Sequence, residues 1–213
     1  MPDTVDFVFI LELIGTVAFA ASGAMIAIQK DLDLLGIIVL GVTTAVGGGM
    51  IRDVILGVHP PVLFVKPVYV VTAIISIMVL FLLVKFNRST MALLQSSFYE
   101  NALNLLDAIG LGVFTAVGVN AARGTYAEYL FLKLFLGVIT GVGGGILRDI
   151  MANETPAVLK KHVYACASIA GAVSYVLLCG LFGADTAMVL SIVLVVTIRL
   201  LARHYMWNLP HAL

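Results

Sequence analysis

The stretch GVTTAVGGGMIRDVIL, residues 41–56, recurs at residues 137–152 as GVITGVGGGILRDIMA. The two copies align without gaps and share nine of sixteen residues. The correspondence extends well beyond them, to Pro60 with Pro156 and, after a slip of one residue, to Lys66-Pro67-Val68-Tyr69 with Lys161-His162-Val163-Tyr164. Upstream, the matching positions are Glu12, Gly15, Phe19 and Gly23 with Asp107, Gly110, Phe114 and Gly118. The chain therefore contains an internal duplication.

The composition around this repeat is that of an integral membrane protein. The 213 residues are 62% hydrophobic and 11% charged, whereas soluble domains are roughly 25% charged. Their mean hydropathy is +1.12. Apolar runs of about 20 residues, long enough to cross a bilayer, lie near residues 7–28, 34–56, 67–84, 102–122, 130–152, 163–182 and 186–204. We therefore predict an all-α membrane protein with seven transmembrane helices.

The duplication divides these spans into two units of three. We predict a first three-helix repeat over residues 1–92, a second over 93–183, and a seventh helix with a C-terminal tail over 184–213. Because three is odd, the second repeat enters the membrane from the opposite side. Inverted repeats of this kind place the permeation sites of many transporters near the membrane midplane.

The basic residues predict the orientation. With the N-terminus outside and the C-terminus cytoplasmic, six lysines and arginines lie at inner ends and two in outer loops, as the positive-inside rule requires. The six inner residues are Lys30, Lys85, Arg88, Lys160, Lys161 and Arg203, and the two outer ones are Lys66 and Arg123. Equal numbers of acidic and basic residues give no indication of a nucleic-acid partner.

Each repeat carries three consecutive glycines in its second span: Gly47, Gly48 and Gly49, then Gly143, Gly144 and Gly145. Glycine costs about 1 kcal/mol relative to alanine inside a helix, so the triplets predict helices that bend or unwind and line a pathway. Thr44 and Thr140, one turn earlier, would add hydroxyl ligands. An alternative interpretation is that the glycines only let neighbouring helices pack closely.

Charged residues inside the spans are the second notable pattern, because such groups are costly in a membrane unless paired or hydrated. Each triplet precedes an Arg-Asp pair, and each repeat has an acid at the depth of its arginine. The predicted pairs are Glu12 with Arg52 and Asp107 with Arg148, beside Asp53 and Asp149. They would form charged gates at the two mouths or structural ion pairs; the second interpretation is favoured, because a bare arginine would repel cations.

The remaining polar residues give little indication of chemistry. We expect Lys133 and Arg199 to extend towards the membrane surface, and Cys166 and Cys179, about 20 Å apart along one helix, to remain unbridged. The sequence has no G-x-S-x-G, H-E-x-x-H or P-loop motif, which argues against an enzyme. We expect no cofactor, and the sequence does not decide whether a metal ion binds.

The doubled Gly-Gly-Gly-x-x-Arg-Asp signature resembles the bacterial family of duplicated membrane domains labelled glycine transporter, which is similar to the trimeric intracellular cation (TRIC) channels. The resemblance covers residues 7 to about 204. It implies a homotrimer in the bacterial inner membrane, surrounded by lipid, with one pore for monovalent cations in each protomer. The second and fifth spans would be kinked at the glycine triplets. The Lys-Glu-Val motif of the animal channels is absent, which argues against their inositol-lipid gating.

Three functions are compatible with the sequence. The first is a channel permeable to potassium, the second a secondary transporter of a small zwitterion such as glycine, and the third a scaffold without transport. Channel and carrier both use inverted repeats with interrupted helices, so the sequence does not separate them.

Overall fold

The computed structural model describes residues 7–86, 97–124, 126–160 and 163–207, and all regular structure in this part of the chain is helical. Within these ranges, seven helices are long and apolar enough to cross a membrane, and two more are single turns. In chain order they are α1 Phe7–Gln29, α2 Leu34–Ile55, α3 Val62–Val65, α4 Val68–Phe86, α5 Ser97–Ala121, α6 Leu130–Met151, α7 Ala157–Lys160, α8 Val163–Phe182 and α9 Ala184–His204.

The seven predicted spans are confirmed, with two differences. The fourth, α5, begins at Ser97 rather than near residue 102, because its first turns are amphipathic and lie beyond the purely apolar run. The turns α3 and α7 were not predicted, since four residues are too few to give a periodic pattern. The predicted boundary between residues 92 and 93 lies outside the described residues.

The contacts between the repeats show that the duplication is inverted. Helix α1 packs antiparallel to its counterpart α5, because Gly15 faces Val113 and Phe114 while Gly110 faces Phe19. Farther along, the Tyr99 hydroxyl donates to the Met25 carbonyl. The second spans α2 and α6 also run antiparallel, with Gly48 against Thr140 and Gly144 against Thr44. A two-fold axis across the helices therefore relates the spans α1, α2 and α4 to the spans α5, α6 and α8.

Equivalent local interactions hold the ends of α2 and α6. Two residues after each helix comes a residue with positive φ, Gly57 at 70° and Asn153 at 56°, the left-handed conformation that commonly terminates helices. The carboxylates of Asp53 and Asp149 then accept from the first amides of the single-turn helices, Val62 N–H at 2.9 Å and Ala157 N–H at 2.7 Å. Each Arg-Asp motif thus fixes the turn that follows its span.

The seventh span, α9, breaks this symmetry. It packs on α8 and α5, both in the second repeat. Close approach is possible because Gly112 faces the backbone of Ile192 and Gly171 faces Val195, and the Ser191 hydroxyl donates to the Gly171 carbonyl at 2.8 Å. Helix α5 is consequently the most buried of the spans.

Candidate functional site

The glycine triplets form the crossing of α2 and α6 at the centre of the protein. A Cβ atom on Gly48 would overlap the Thr140 carbonyl, and one on Gly144 would overlap the Thr44 carbonyl. Such contacts direct the glycine Cα–H groups at carbonyl oxygens, a recurring weak interaction between packed helices. The predicted unwinding is wrong, because both helices are continuous through their triplets, whereas a bend at the glycines stays a prediction. The close-packing interpretation accounts for Gly48 and Gly144.

The other four triplet glycines have different surroundings. An added Cβ would lie 2.6 Å from Leu147 at Gly47, 3.2 Å from the Gly48 Cα at Gly143, and 2.8 Å from the Tyr164 hydroxyl at Gly145. At Gly49 the nearest atom would be an Arg52 nitrogen at 4.0 Å. Among the six, Gly49 alone lines one of the two cavities described below, so the triplets are mainly packing surfaces.

The two threonines are not available as pathway ligands in this structure. Thr44 and Thr140 are fully buried, and their hydroxyls donate back along their own helices to the Leu40 and Leu136 carbonyls, both at 2.6 Å. Thr44 contacts Gly23 of α1, and Thr140 contacts Gly118 of α5, each within its own repeat. Their role as hydroxyl ligands of a pathway stays a prediction, because glycines on the facing helices bring the backbones close enough to bury both side chains here.

The first charged group, here called the Glu12 cluster, comprises Glu12, Arg52, Asp53 and Tyr69. Arg52 donates to Asp53 through Nε at 2.9 Å and Nη2 at 2.8 Å. Its Nη1 lies 3.9 Å from a Glu12 carboxylate oxygen, and the Tyr69 hydroxyl donates to the other. The predicted Glu12–Arg52 pair is therefore present, at a long distance and with 18% of the Glu12 side chain exposed.

The Asp107 cluster is its counterpart at the opposite end of the bundle, and comprises Asp107, Arg148, Asp149, Tyr164 and Arg199. Arg148 lies 2.7 Å from Asp107 and donates to Asp149 at 2.9 Å. The Tyr164 hydroxyl donates to Asp107 at 3.4 Å. The predicted Asp107–Arg148 pair is thus present, and it is shorter and more buried than the Glu12–Arg52 pair.

Four contacts of the Asp107 cluster have no equivalent in the Glu12 cluster. Arg148 donates to the Ser22 hydroxyl at 2.6 Å, where the matching position in the other repeat is Val117. Arg199 of α9 lies 3.5 Å from Asp107 and donates to the Asn104 side-chain oxygen at 3.0 Å. The Arg199 guanidinium also stacks on the Tyr164 ring, 4.5 Å from its centroid.

The sequence-based interpretation of Arg199 is therefore wrong. Instead of extending to the surface it is 5% exposed, because the buried Asp107 carboxylate stabilises it in the interior. Tyr69 and Tyr164 were also overlooked as site residues. Their matched places in the repeat were a usable signal, whereas Asn104, Ser22 and Arg199 lack repeat partners of the same chemistry.

Each cluster lines a cavity. The Glu12 cavity is about 40 Å³ and is bordered by α1, α2, α3 and α4 together with Phe114. The Asp107 cavity is about 370 Å³ and is bordered by residues of α1, α5, α6, α7 and α9. Both volumes exceed what a single water needs. Within the described ranges the two cavities share no lining residue, so a packed centre lies between these two polar recesses.

Apolar side chains occupy that centre. Phe19 and its repeat counterpart Phe114 lie with ring centroids 5.4 Å apart, each packed on a glycine of the other repeat, Gly110 and Gly15. Phe114 also borders the Glu12 cavity. The aromatic pair and the glycine crossing therefore separate the two recesses in this conformation.

The described residues contain no group of three or more His, Cys, Asp or Glu side chains arranged to hold a metal ion. Arginine side chains instead form ion pairs with the carboxylates of both clusters. Cys166 and Cys179 are free thiols. In the part of the chain that the structure describes, the arrangement therefore offers paired charges beside polar recesses rather than a cluster of metal ligands.

The sequence profile of a family described as "Glycine transporter" matches residues 9–85 and 104–179, which are the two repeats. The chain belongs to this family. Named relatives include the UPF0126 inner membrane protein YadS of Escherichia coli K12, 40% identical over 95% of both chains. The UPF0126 membrane protein of Deinococcus radiodurans is 37% identical over 94% of this chain and 89% of its own length.

Solved structures of TRIC channels share the family fold. A TRIC cation channel is 35% identical with a TM-score of 0.79, covering 96% of both chains. A prokaryotic TRIC channel crystallised in 0.5 M KCl is 29% identical with a TM-score of 0.85, covering 95% of this chain and 98% of the other. The TRIC orthologue from Rhodobacter sphaeroides is 28% identical with a TM-score of 0.83, covering 94% and 98%. These neighbours are ion channels, not enzymes.

Proposed function

We propose that the protein is a monovalent-cation channel, permeable to potassium, that assembles as a homotrimer in the bacterial inner membrane with one pathway in each protomer. The observation that carries the proposal is the pair of charged recesses at opposite ends of one protomer, related by the inverted repeat. The likeness to TRIC cation channels supports it.

The pathway would run from the Glu12 cavity past Phe19 and Phe114 to the Asp107 cavity. Carboxylates at both mouths can coordinate a cation that has entered, and the paired arginines limit how long it stays, because conduction requires binding that is favourable but weak. Because the centre is packed, the structure corresponds to a closed pathway. Opening would require α2 and α6 to move at their crossing, where the absence of side chains on Gly48 and Gly144 makes sliding possible.

A carrier of a small zwitterion such as glycine is the second candidate. Two recesses separated by a packed centre are also what alternating access between inverted repeats requires, and the family bears the glycine transporter description. A zwitterion has both charges needed to meet a carboxylate and a guanidinium in the same cluster.

Recordings from the purified protein in a planar bilayer, with KCl on both sides, distinguish the candidates. The channel proposal predicts discrete current steps whose reversal potential follows the K⁺ gradient. Saturable glycine counterflow in proteoliposomes, without current steps, would contradict it and support the carrier. Vesicles without protein provide the control.

A further inference from the structure

The two mouths of the proposed pathway differ in charge, and α9 makes the difference. The Glu12 cavity is lined by two carboxylates, Glu12 and Asp53, and by the single guanidinium of Arg52. Its formal charge is therefore minus one. The three groups form one connected cluster, so this charge is concentrated at one mouth.

The Asp107 cavity is lined by four carboxylates and four basic side chains, so its formal charge is zero. Two acids and two arginines belong to the buried Asp107 cluster, and the rest lie nearer the rim: Glu100, Glu154, Lys160 and Arg203. The repeat symmetry supplies Asp107, Arg148 and Asp149, which match the residues of the Glu12 cavity. Arg199, from the unrepeated α9, is the additional positive charge in the buried cluster.

The position of Arg199 brings this charge to the lining of the Asp107 cavity. Its side chain is 6% exposed and lies 3.5 Å from Asp107, inside the cluster that borders the cavity. Electrostatic interactions are stronger there than at a hydrated surface. Arg203, one turn later, instead pairs with Glu100 at 3.2 Å, with 72% of the Glu100 side chain exposed.

On the basis of the proposed channel function, we infer that the charge of Arg199 makes cation entry unequal at the two mouths. A negative mouth concentrates cations from the solution it faces, whereas a neutral mouth does not. Current carried by K⁺ entering at the Glu12 mouth therefore exceeds current carried by K⁺ entering at the Asp107 mouth. One unit charge several ångströms from the entering ion gives a ratio of roughly two at 0.1 M salt.

The test is the single-channel current–voltage relation in excised membrane patches, which keep all channels in one orientation, with symmetric KCl. In wild type the ratio of currents at opposite voltages should be roughly two at 0.1 M KCl and fall towards one at 1 M, where the Debye length is about 3 Å. Arg199→Gln should bring the ratio towards one already at 0.1 M. Arg199→Lys, which retains the charge, should preserve the wild-type ratio.

These recordings distinguish a failure of the Arg199 inference from a failure of the channel proposal. No current from folded wild type contradicts the channel itself, whereas wild-type current with a ratio unchanged by Arg199→Gln at 0.1 M KCl overturns this inference alone. If Arg199→Gln does not fold, Lys160→Gln decides, because it removes a charge from the same cavity at an exposed position. If Lys160→Gln moves the current ratio towards one by less than expected for Arg199→Gln, the result supports the inference. A Lys160→Gln ratio equal to that of wild type at 0.1 M KCl overturns it.

Discussion

At the scale of single residues, the two acids Asp107 and Glu12 differ in how closely basic side chains neutralise their negative charge. The Asp107 carboxylate faces Arg148 and Arg199 in the interior, whereas Glu12 faces one arginine at 3.9 Å beside a small cavity. Removing one partner of a buried ion pair is strongly destabilising, because the remaining charge keeps its desolvation penalty. The two acids, although matched by the repeat, should therefore differ in their importance for stability.

Asp107→Asn should lower the free energy of unfolding by about 3 kcal/mol, since it leaves two buried guanidinium groups with less compensation. The matched variant Glu12→Gln should cost about 1 kcal/mol, because its arginine retains Asp53 at 2.8 Å. Thermal unfolding of the two purified proteins in detergent measures the difference. Equal melting temperatures would show that the two clusters are equivalent despite their geometry.

The threonines provide a second test at this scale. Thr140→Val removes a hydroxyl that is bonded within its own helix and keeps the side-chain shape. Channel conductance and K⁺ selectivity should therefore remain close to wild type. A several-fold loss of conductance in a stably folded Thr140→Val protein would show that the hydroxyl turns into the pathway when the channel opens, as the sequence-based hypothesis held.

At the scale of helices, the crossing of α2 and α6 depends on the absence of side chains at two positions. Gly48→Ala places a methyl group against the Thr140 carbonyl, so the helices must separate, at a cost of about 1–3 kcal/mol. Gly49→Ala is the matched control, because its Cβ would meet no atom closer than 4.0 Å and alanine favours the helix. The melting temperature should fall for Gly48→Ala and stay level or rise for Gly49→Ala; the reverse order would exclude the packing role.

The same helices show how far sequence reasoning reaches. The seven spans, the inverted duplication and the two acid–arginine pairs could be predicted, because apolar length, repeat alignment and the cost of charge in a membrane are each visible in the residue pattern. Whether the glycine-containing helices unwind or pack closely could not be predicted, since a glycine triplet is compatible with both. Only the position of the facing backbone, here the Thr44 and Thr140 carbonyls, decides between them.

Arg199 illustrates a different limit. Arg199 lies eight residues before the last described residue, Trp207, in a helix without a repeat partner, and it has the local sequence of a residue that extends to the surface. Its burial follows from α9 packing against α5, which brings it to Asp107, more than ninety positions earlier in the chain. No local pattern encodes such a contact.

At the scale of the whole molecule, the orientation in the membrane remains a prediction from the basic residues. The C-terminus should be cytoplasmic, so a green fluorescent protein fused after Leu213 should fluoresce and an alkaline phosphatase fused there should be inactive, because it is active only outside the cytoplasm. Phosphatase activity without fluorescence would reverse the orientation and exchange the sides of the Glu12 and Asp107 mouths.

The central claim is that each protomer of a trimer conducts cations through its own pair of cavities. Leu103, which lines the Asp107 cavity, can be replaced by cysteine in a protein whose native Cys166 and Cys179 are serine. Leu105→Cys is the matched control, because Leu105 lies two residues away on the same helix and is 41% exposed outside both cavities.

The decisive measurement is the current through a single Leu103→Cys trimer during exposure to a cationic, membrane-impermeant thiosulfonate, which attaches a positive group to the thiol. We predict that the current falls in three equal, irreversible steps, one for each modified protomer, and that Leu105→Cys is unaffected. Loss of the whole current in one step would contradict separate pathways, and an unchanged current after complete modification would place the ions outside these cavities.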